Sequence, residues 1–322
     1  MTNKGLSFII PALNEEAHIG DVLDSVMKNV DRCYKYEMIV VDNGSSDRTV
    51  EIAVKKGAVV LHAPCCTISA LRNLGALEAR YNIFVFIDAD VYLVKEWGER
   101  IKQVIERLYS QPSIITGSLC GVSEENDWIE RIWFAPRTTL KEANYINSGH
   151  LIIHKGLFLR VEGFDPHLET GEDCDFCARA RRLGARIEND PELKVIHSGY
   201  PKSIKRFFTR ERWHARGDYK SLKALSSSKP GLVSLANLFT AVTCTIGMAI
   251  CSPPWFMFPC IYIFFLTSVS LAAAIHRNCG KLDSGIWGIV FLYMIYFTAR
   301  TVSIADVIIQ SLFERRTARA SV

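Results

Sequence analysis

From Pro230 to Ile275 the chain carries no charged residue, a stretch of about 46 positions. A bilayer core takes roughly 20 apolar residues per crossing helix, so this stretch is long enough to cross twice. The polar breaker Cys251-Ser252-Pro253-Pro254 divides it near its middle, as a helical hairpin requires. The competing reading is a buried helix pair in a soluble core, but core helices of this length keep a polar face that this stretch lacks. A third apolar run, Ile286 to Thr298, is followed by Arg300 and Asp306. A charge within hydrocarbon costs about 3 kcal/mol, which makes this run the weaker span. Hydrophobic helices are therefore expected over about 232–251, 254–275 and 286–309. A full third crossing puts Glu314-Arg315-Arg316 outside, against the usual charge bias. Otherwise the segment lies in the interface or packs on the hairpin with Arg300 and Asp306 paired.

Between Lys194 and Lys229 there are ten Lys or Arg residues and two acids, directly before the first span. That excess places the preceding part of the chain on the cytoplasmic side. Leu6 to Leu13 lacks a basic leader and a small-residue cleavage site and is broken by Pro11, so it does not read as a cleavable signal peptide. The cysteines are scattered, Cys65 and Cys66 are adjacent, and no disulfide framework emerges, in keeping with a reducing compartment. Cys174-Asp175-Phe176-Cys177 has C-x-x-C spacing without a second pair, and packing on one helix face is its expected role.

The 322 residues accommodate one sizeable α/β domain over 1–225 and a membrane domain over 226–322. In the first, short β-branched runs alternate with helical stretches, the pattern of a mostly parallel sheet flanked by helices. Strands are predicted at Leu6 to Ile10, Glu37 to Val41, Ala58 to Leu61, Ile83 to Ile87 and Ile114 to Thr116. Helices are predicted at Glu15 to Lys28, Asp47 to Lys56, Ser69 to Arg80 and Lys95 to Tyr109. Ligands of such sheets bind beyond the carboxyl ends of the strands.

Three strand ends carry polar residues. The first runs into Pro11-Ala12-Leu13-Asn14-Glu15-Glu16, where Asn14 is placed to cap a helix. The second ends in Asp42-Asn43-Gly44-Ser45-Ser46-Asp47-Arg48-Thr49, where Asp47 suits an N-cap and Asp42 has no such structural reason. The fourth ends in Asp88-Ala89-Asp90, whose carboxylates point to one side by the two-residue period of a strand. Like charges that close call for a cation, and Mg²⁺ or Mn²⁺ shared between a carboxylate and phosphate oxygens answers that need.

These segments, with Arg72-Asn73-Leu74-Gly75, Asn147-Ser148-Gly149, Gly163-Phe164-Asp165 and Glu172-Asp173-Cys174-Asp175, resemble the family 2 glycosyltransferases of GT-A fold over roughly Leu6 to Gly217. The resemblance implies that Pro11, Ala12, Asn14 and Glu15 line the nucleoside pocket and that Asp42 reads the base. It places Arg72 near the base and diphosphate, and Asp88 on the ribose or sugar side. Asp90, with Asp88 beside it, would hold Mn²⁺ or Mg²⁺. Gly149 would line the nucleotide-sugar site, and His197 is a further metal or diphosphate contact. Of the acidic pair Glu172-Asp173, Asp173 would be the general base of a single displacement with inversion. Arg210-Glu211-Arg212-Trp213 is similar to half of the Gln-x-x-Arg-Trp signature of processive synthases, with Thr209 at the Gln position. Arg212 and Trp213 would hold diphosphate or acceptor, or lie against lipid headgroups.

The expected function is transfer of one sugar from a nucleotide-sugar, UDP-sugar favoured, to a lipid-linked or otherwise membrane-associated acceptor for surface polysaccharide or glycan synthesis. The catalytic domain is expected to be cytoplasmic on an integral membrane protein, the inner membrane if the source is a bacterium, in contact with membrane lipids and not nucleic acid. A sugar-nucleotide nucleotidyltransferase is the alternative, although Asn14-Glu15-Glu16 stands where its Gly-rich basic loop belongs. An inactive membrane scaffold is the other, and it predicts decay of acids that are all present. Neither G-x-G-x-x-G nor G-x-x-x-x-G-K-[ST] occurs, which speaks against dinucleotide and P-loop enzymes.

Overall fold

The computed structural model describes residues 5–31, 34–123, 126–134, 145–219, 221–250, 254–278 and 285–320. The expected breaker Cys251-Ser252-Pro253 lies outside the described residues. By contacts the chain divides into two compact units, residues 1–126 with 134–200, and residues 127–133 with 201–322. Residues 201–225 thus group with the apolar helices, whereas composition put the domain boundary after 225.

Among the described residues the first unit has nine strands: β1 (Leu6–Ala12), β2 (Tyr36–Asp42), β3 (Val59–His62), β4 (Ile83–Ile87), β5 (Val91–Leu93), β6 (Ile114–Gly117), β7 (His150–His154), β8 (Arg186–Asn189) and β9 (Val195–His197). Seven form one sheet in the order β3-β2-β1-β4-β7-β6-β8, and β5 pairs with β9 in a small antiparallel ribbon. β1, β2, β3 and β4 run parallel to one another. β7 runs antiparallel to both neighbours, β4 and β6. Every residue of β1 and β4 is buried, as near-continuous apolar runs covered on both faces should be, and the one polar residue, Ser7, donates to Glu37 at 2.7 Å.

Helices α1 (Ile19–Asn29), α2 (Thr49–Lys55), α3 (Ile68–Glu78), α4 (Lys95–Ser110), α5 (Lys155–Arg160) and α6 (Glu172–Arg182) cover the sheet. In α4, Trp97, Ile101, Val104, Ile105 and Leu108 recur at helical spacing and enter the core with Phe8, Ile10 and Val85. The expected helix from Glu15 begins instead at Ile19, because Asn14 takes a left-handed φ of 56° and its side chain bonds elsewhere. Cys177 is buried under α6 and Cys174 is exposed, without a partner for a metal pair among the described residues.

The second unit holds α7 (Ile204–His214), α8 (Leu222–Ser227), α9 (Lys229–Ile250), α10 (Met257–Arg277) and α11 (Ile286–Ala320), with a 3-10 turn at Ala215–Tyr219. Three of these are long and apolar enough to cross a membrane: Lys229–Ile250, Met257–Arg277 and Ile286–Ile309. Gly247 lets α9 approach the Phe258 ring of α10 so closely that a Cβ would overlap it. Arg300 and Asp306 do not pair with each other, contrary to one expectation. Arg300 pairs with Asp218, and Asp306 takes both ends of the Arg212 guanidinium at 2.6 and 2.5 Å. A helix presents residues six apart on different faces, so each ion finds its own partner.

Candidate active site

The turns that follow β1 and β2 are laced together. Asn14 N–H donates to Ser45 Oγ at 2.9 Å, and Asn14 Oδ1 accepts from Ser46 N–H at 2.8 Å. Glu15 N–H donates to Thr49 Oγ1 at 2.7 Å, and Glu16 accepts from the Arg48 amide at 3.2 Å. Asn14 therefore clamps two turns rather than capping a helix. Asp42, 2% exposed, also has a structural task that its sequence position did not disclose. Its carboxylate accepts from Gly44 N–H at 3.0 Å and from Ser45 N–H at 3.2 Å, which turns the chain at the end of β2. Pro11 and Ala12 are the last two residues of β1 and lie buried beside Val41 and Asp42.

Next to these turns, the end of β4 supplies Asp88 and Asp90. Burial raises the Glu15 carboxyl to about 7, helped by the negative charges of Asp90, Asp88 and Asp47. Burial likewise raises Asp90, and the negative charge of Asp88 adds to the effect. His197 Nε2 stands 3.6 Å from Asp90 Oδ2, and its ring stacks on Tyr200 with centroids 4.0 Å apart. Gly199 N–H donates to His197 Nδ1 at 3.1 Å, which leaves the proton of the neutral ring on Nε2, facing Asp90. Two glycines make room for the acids: a Cβ at Gly199 would overlap Asp90 Oδ2, and one at Gly149 would meet Asp88 Oδ2 at 2.5 Å.

Arg72 joins this cluster to α6. Its Nη2 donates to Asp88 Oδ1 at 2.6 Å and its Nη1 to Glu172 Oε1 at 2.9 Å, from a side chain 1% exposed. Each terminal nitrogen keeps a second hydrogen, and Arg72 Nε is buried without a hydrogen-bond partner among the described residues, so donors remain beside the two acids. Glu172 Oε1 also accepts from Ser148 Oγ at 2.8 Å, so Glu172 is tied down while Asp173 is not bound by a cation. Burial raises Asp173 to about 6, and the neighbouring charge of Glu172 adds to the effect. Gly171, in a left-handed conformation at φ 75°, starts the helix that carries the pair.

Arg212 and Trp213 belong to the second unit, where Arg212 is engaged by Asp306 and Trp213 is 41% exposed beside His214. Sequence reasoning quoted Ser148 within Asn147-Ser148-Gly149 without giving it a role, and it passed over His18 and Gly199. Gly199 lies two residues beyond His197. His18, whose charge acts on Asp90 and whose Nδ1 lies 3.3 Å from Ser198 Oγ, follows the Glu15-Glu16 turn with no motif of its own.

Among the described residues, no group of three or more His, Cys, Asp or Glu side chains is arranged to hold a metal ion. That fits an ion taking most of its ligands from phosphates and water, as Mg²⁺ usually does, with one or two carboxylates from the protein. The chemistry of the site agrees: crowded, buried acids want positive charge, and Asp90 offers the oxygen. His197 fits less well as placed, since ligation through Nε2 requires the ring proton on Nδ1, where the Gly199 amide now points.

A glycosyltransferase of Haloferax volcanii, AglE, is 34% identical over 209 residues, or 61% of this chain and 67% of that protein. The glucosyl-3-phosphoglycerate synthase of Mycobacterium tuberculosis is 34% identical over 140 residues, 37% of this chain and 43% of that protein. The matched stretch thus spans about two thirds of the first relative and less than half of the second. Among solved structures, the mannosyltransferase PcManGT from Pyrobaculum calidifontis, in complex with GDP-Man and Mn²⁺, has a TM-score of 0.57 at 16% identity, over 94% of this chain and 87% of that one. That likeness carries the fold, a GT-A-like sheet. The profile described as Glycosyl transferase family 2 matches residues 7–167, half of the chain, and with these relatives it establishes that the protein belongs to glycosyltransferase family 2.

Proposed function

We propose that the protein transfers one sugar from a nucleotide-sugar, with UDP-sugar favoured, to a polyprenyl-linked or glycolipid acceptor, inverting the anomeric carbon. The observation that carries this reading is the division of labour among the acids. Glu15, Asp88 and Asp90 crowd at the strand ends, whereas Asp173 stands on α6 with a carboxyl raised to about 6. A carboxylate of that basicity is ionised at neutral pH and is a better proton acceptor than an ordinary one. The acceptor oxygen bonds to the anomeric carbon as the bond to the diphosphate oxygen breaks, and the acceptor proton passes to Asp173. Mn²⁺ or Mg²⁺ bound at Asp90, with Asp88 adjacent, would supply charge to the departing diphosphate. Arg72 holds Asp88 in place, and the clamped turns at Asn14 and Asp42 shape the nucleoside side.

The apolar helices support an acceptor held in the membrane, because anchoring enzyme and acceptor in one layer raises their effective concentration. The PcManGT complex with GDP-Man and Mn²⁺ supports the donor and metal classes, through shared fold only. The test is release of nucleoside diphosphate from UDP-, GDP- and dTDP-sugars with Mn²⁺ or Mg²⁺ and native membrane lipid extract. Release that needs lipid and metal and is lost in Asp90→Ala and Asp173→Asn is the expected result. Release that survives both substitutions would show that other residues bind the metal and take the proton.

A further inference from the structure

By composition α11 is a third membrane span, but its surroundings in the second unit do not suit hydrocarbon. Residues 292–301 include no exposed position, whereas α9 and α10 expose apolar side chains such as Phe239, Ile246, Ile263 and Phe264. One flank of α11 is taken by the hairpin: Ala274 packs with Ile286 and Val290, and Asn237 Nδ2 donates to Thr301 Oγ1 at 2.9 Å. The remaining flank is taken by polar parts of the same unit. Trp133 stacks against Tyr293, Tyr296 and Phe207, with centroids 4.8, 5.4 and 5.1 Å away. Tyr219 Oη donates to the Arg300 carbonyl at 3.1 Å, Arg300 pairs with Asp218, and Arg212 pairs with Asp306. α7 and its following turn therefore lie alongside α11 from Tyr293 to Asp306.

The outer face of α7 decides the depth of both helices. Lys202 just before the helix, and Lys205 and Arg206 in its first turn, are exposed and make no ion pair among the described residues, and Trp213 is exposed near its end. If residues 293–306 sat in the bilayer core, these cations would sit there too, at roughly 3 kcal/mol each. In the headgroup layer the same residues meet lipid phosphates, and the tryptophan ring finds the interface it favours. We infer that α9 and α10 are the two crossings, and that α11 lies with α7 at the membrane surface, on the side from which α9 enters.

This inference rests on the reading of α9 and α10 as membrane helices and on no active-site assignment. It is tested on the full chain with a different epitope at each terminus, in sealed membrane vesicles treated with protease from outside. Loss of both epitopes in one vesicle orientation, and survival of both in the other, is the expected result. Loss of one epitope alone in intact vesicles, with the other cleaved only after detergent, would overturn the inference by showing an odd number of crossings. Release of the protein by alkaline carbonate would overturn the membrane reading itself, which the epitope pattern does not address.

Discussion

Arg72 Nη2 approaches Asp88 Oδ1 to 2.6 Å in the interior of the first unit, and the same guanidinium holds Glu172 at 2.9 Å. Removing the arginine strands two carboxylates beneath the strand ends. Breaking a buried ion pair from one side costs about 3–5 kcal/mol. Arg72→Met should therefore lower the unfolding temperature sharply, and adding Glu172→Gln should recover part of the loss. Thermal unfolding in detergent measures both; an unchanged midpoint in the single variant would mean that the pair contributes nothing to stability.

Ser148 donates to Glu172, and Glu172 adjoins Asp173. Ser148→Ala is expected to lower kcat about tenfold, the worth of a hydrogen bond of roughly 1.4 kcal/mol to a charged group, with little change in donor KM. A rise in donor KM at constant kcat would instead assign the serine to donor binding.

Because the Asp173 carboxyl is raised to about 6, its base form is depleted as the pH falls through that value. The log of kcat/KM should therefore drop with unit slope below about pH 6 and level above it. Asp173→Asn should leave only background turnover, with no acidic limb near 6. A wild-type profile level down to pH 5 would exclude Asp173 as the base.

Gly199→Ala places a methyl group on Asp90 Oδ2. The expected outcome is loss of metal-stimulated turnover by about a hundredfold or more, about 2.7 kcal/mol in transition-state terms, with the fold retained. Metal titration of nucleoside diphosphate release reads this directly; wild-type stimulation would remove Asp90 from the metal site.

His150 lies in the core, where Trp97 Nε1 donates to its Nε2 at 2.8 Å and burial lowers its pKa to about 3. The unfolded chain protonates this ring below about 6.5, whereas the folded one does not. Its contribution to stability is complete above 6.5 and is lost progressively as the pH falls toward 3. His150→Phe should flatten that acid-side slope. It should also cost about 1–3 kcal/mol by leaving the indole N–H unpaired, as followed by unfolding at pH 7 and pH 5.

The strands were legible because their residues are apolar on both faces: Ile83 to Ile87 was placed to the residue, and the other four to within two. The small ribbon of β5 and β9 was not, being three residues on each side. Helix lengths were legible from apolar periodicity, but the start of α1 was not. An Asn before acids reads as a cap, and only the neighbouring turn at Ser45 and Ser46 shows where its side chain goes. The acids of the site could be found by their place after strands. Their partners could not, because Arg72 meets Glu172 across a hundred residues of chain. The same limit applied to Arg300 and Asp306, whose counterions sit on a different helix and turn.

The lacing of the turn after β1 to the turn after β2, through Asn14 with Ser45 and Ser46 and Glu16 with Arg48, makes one object of two loops whose bonded residues are 31 or 32 positions apart in sequence. Neither can lengthen, shorten or change its residues alone without leaving the other short of partners. Drift in one loop has to be matched in its mate, so these positions should vary together across descendants. An engineer who rebuilds one of these loops has to transplant both as a unit.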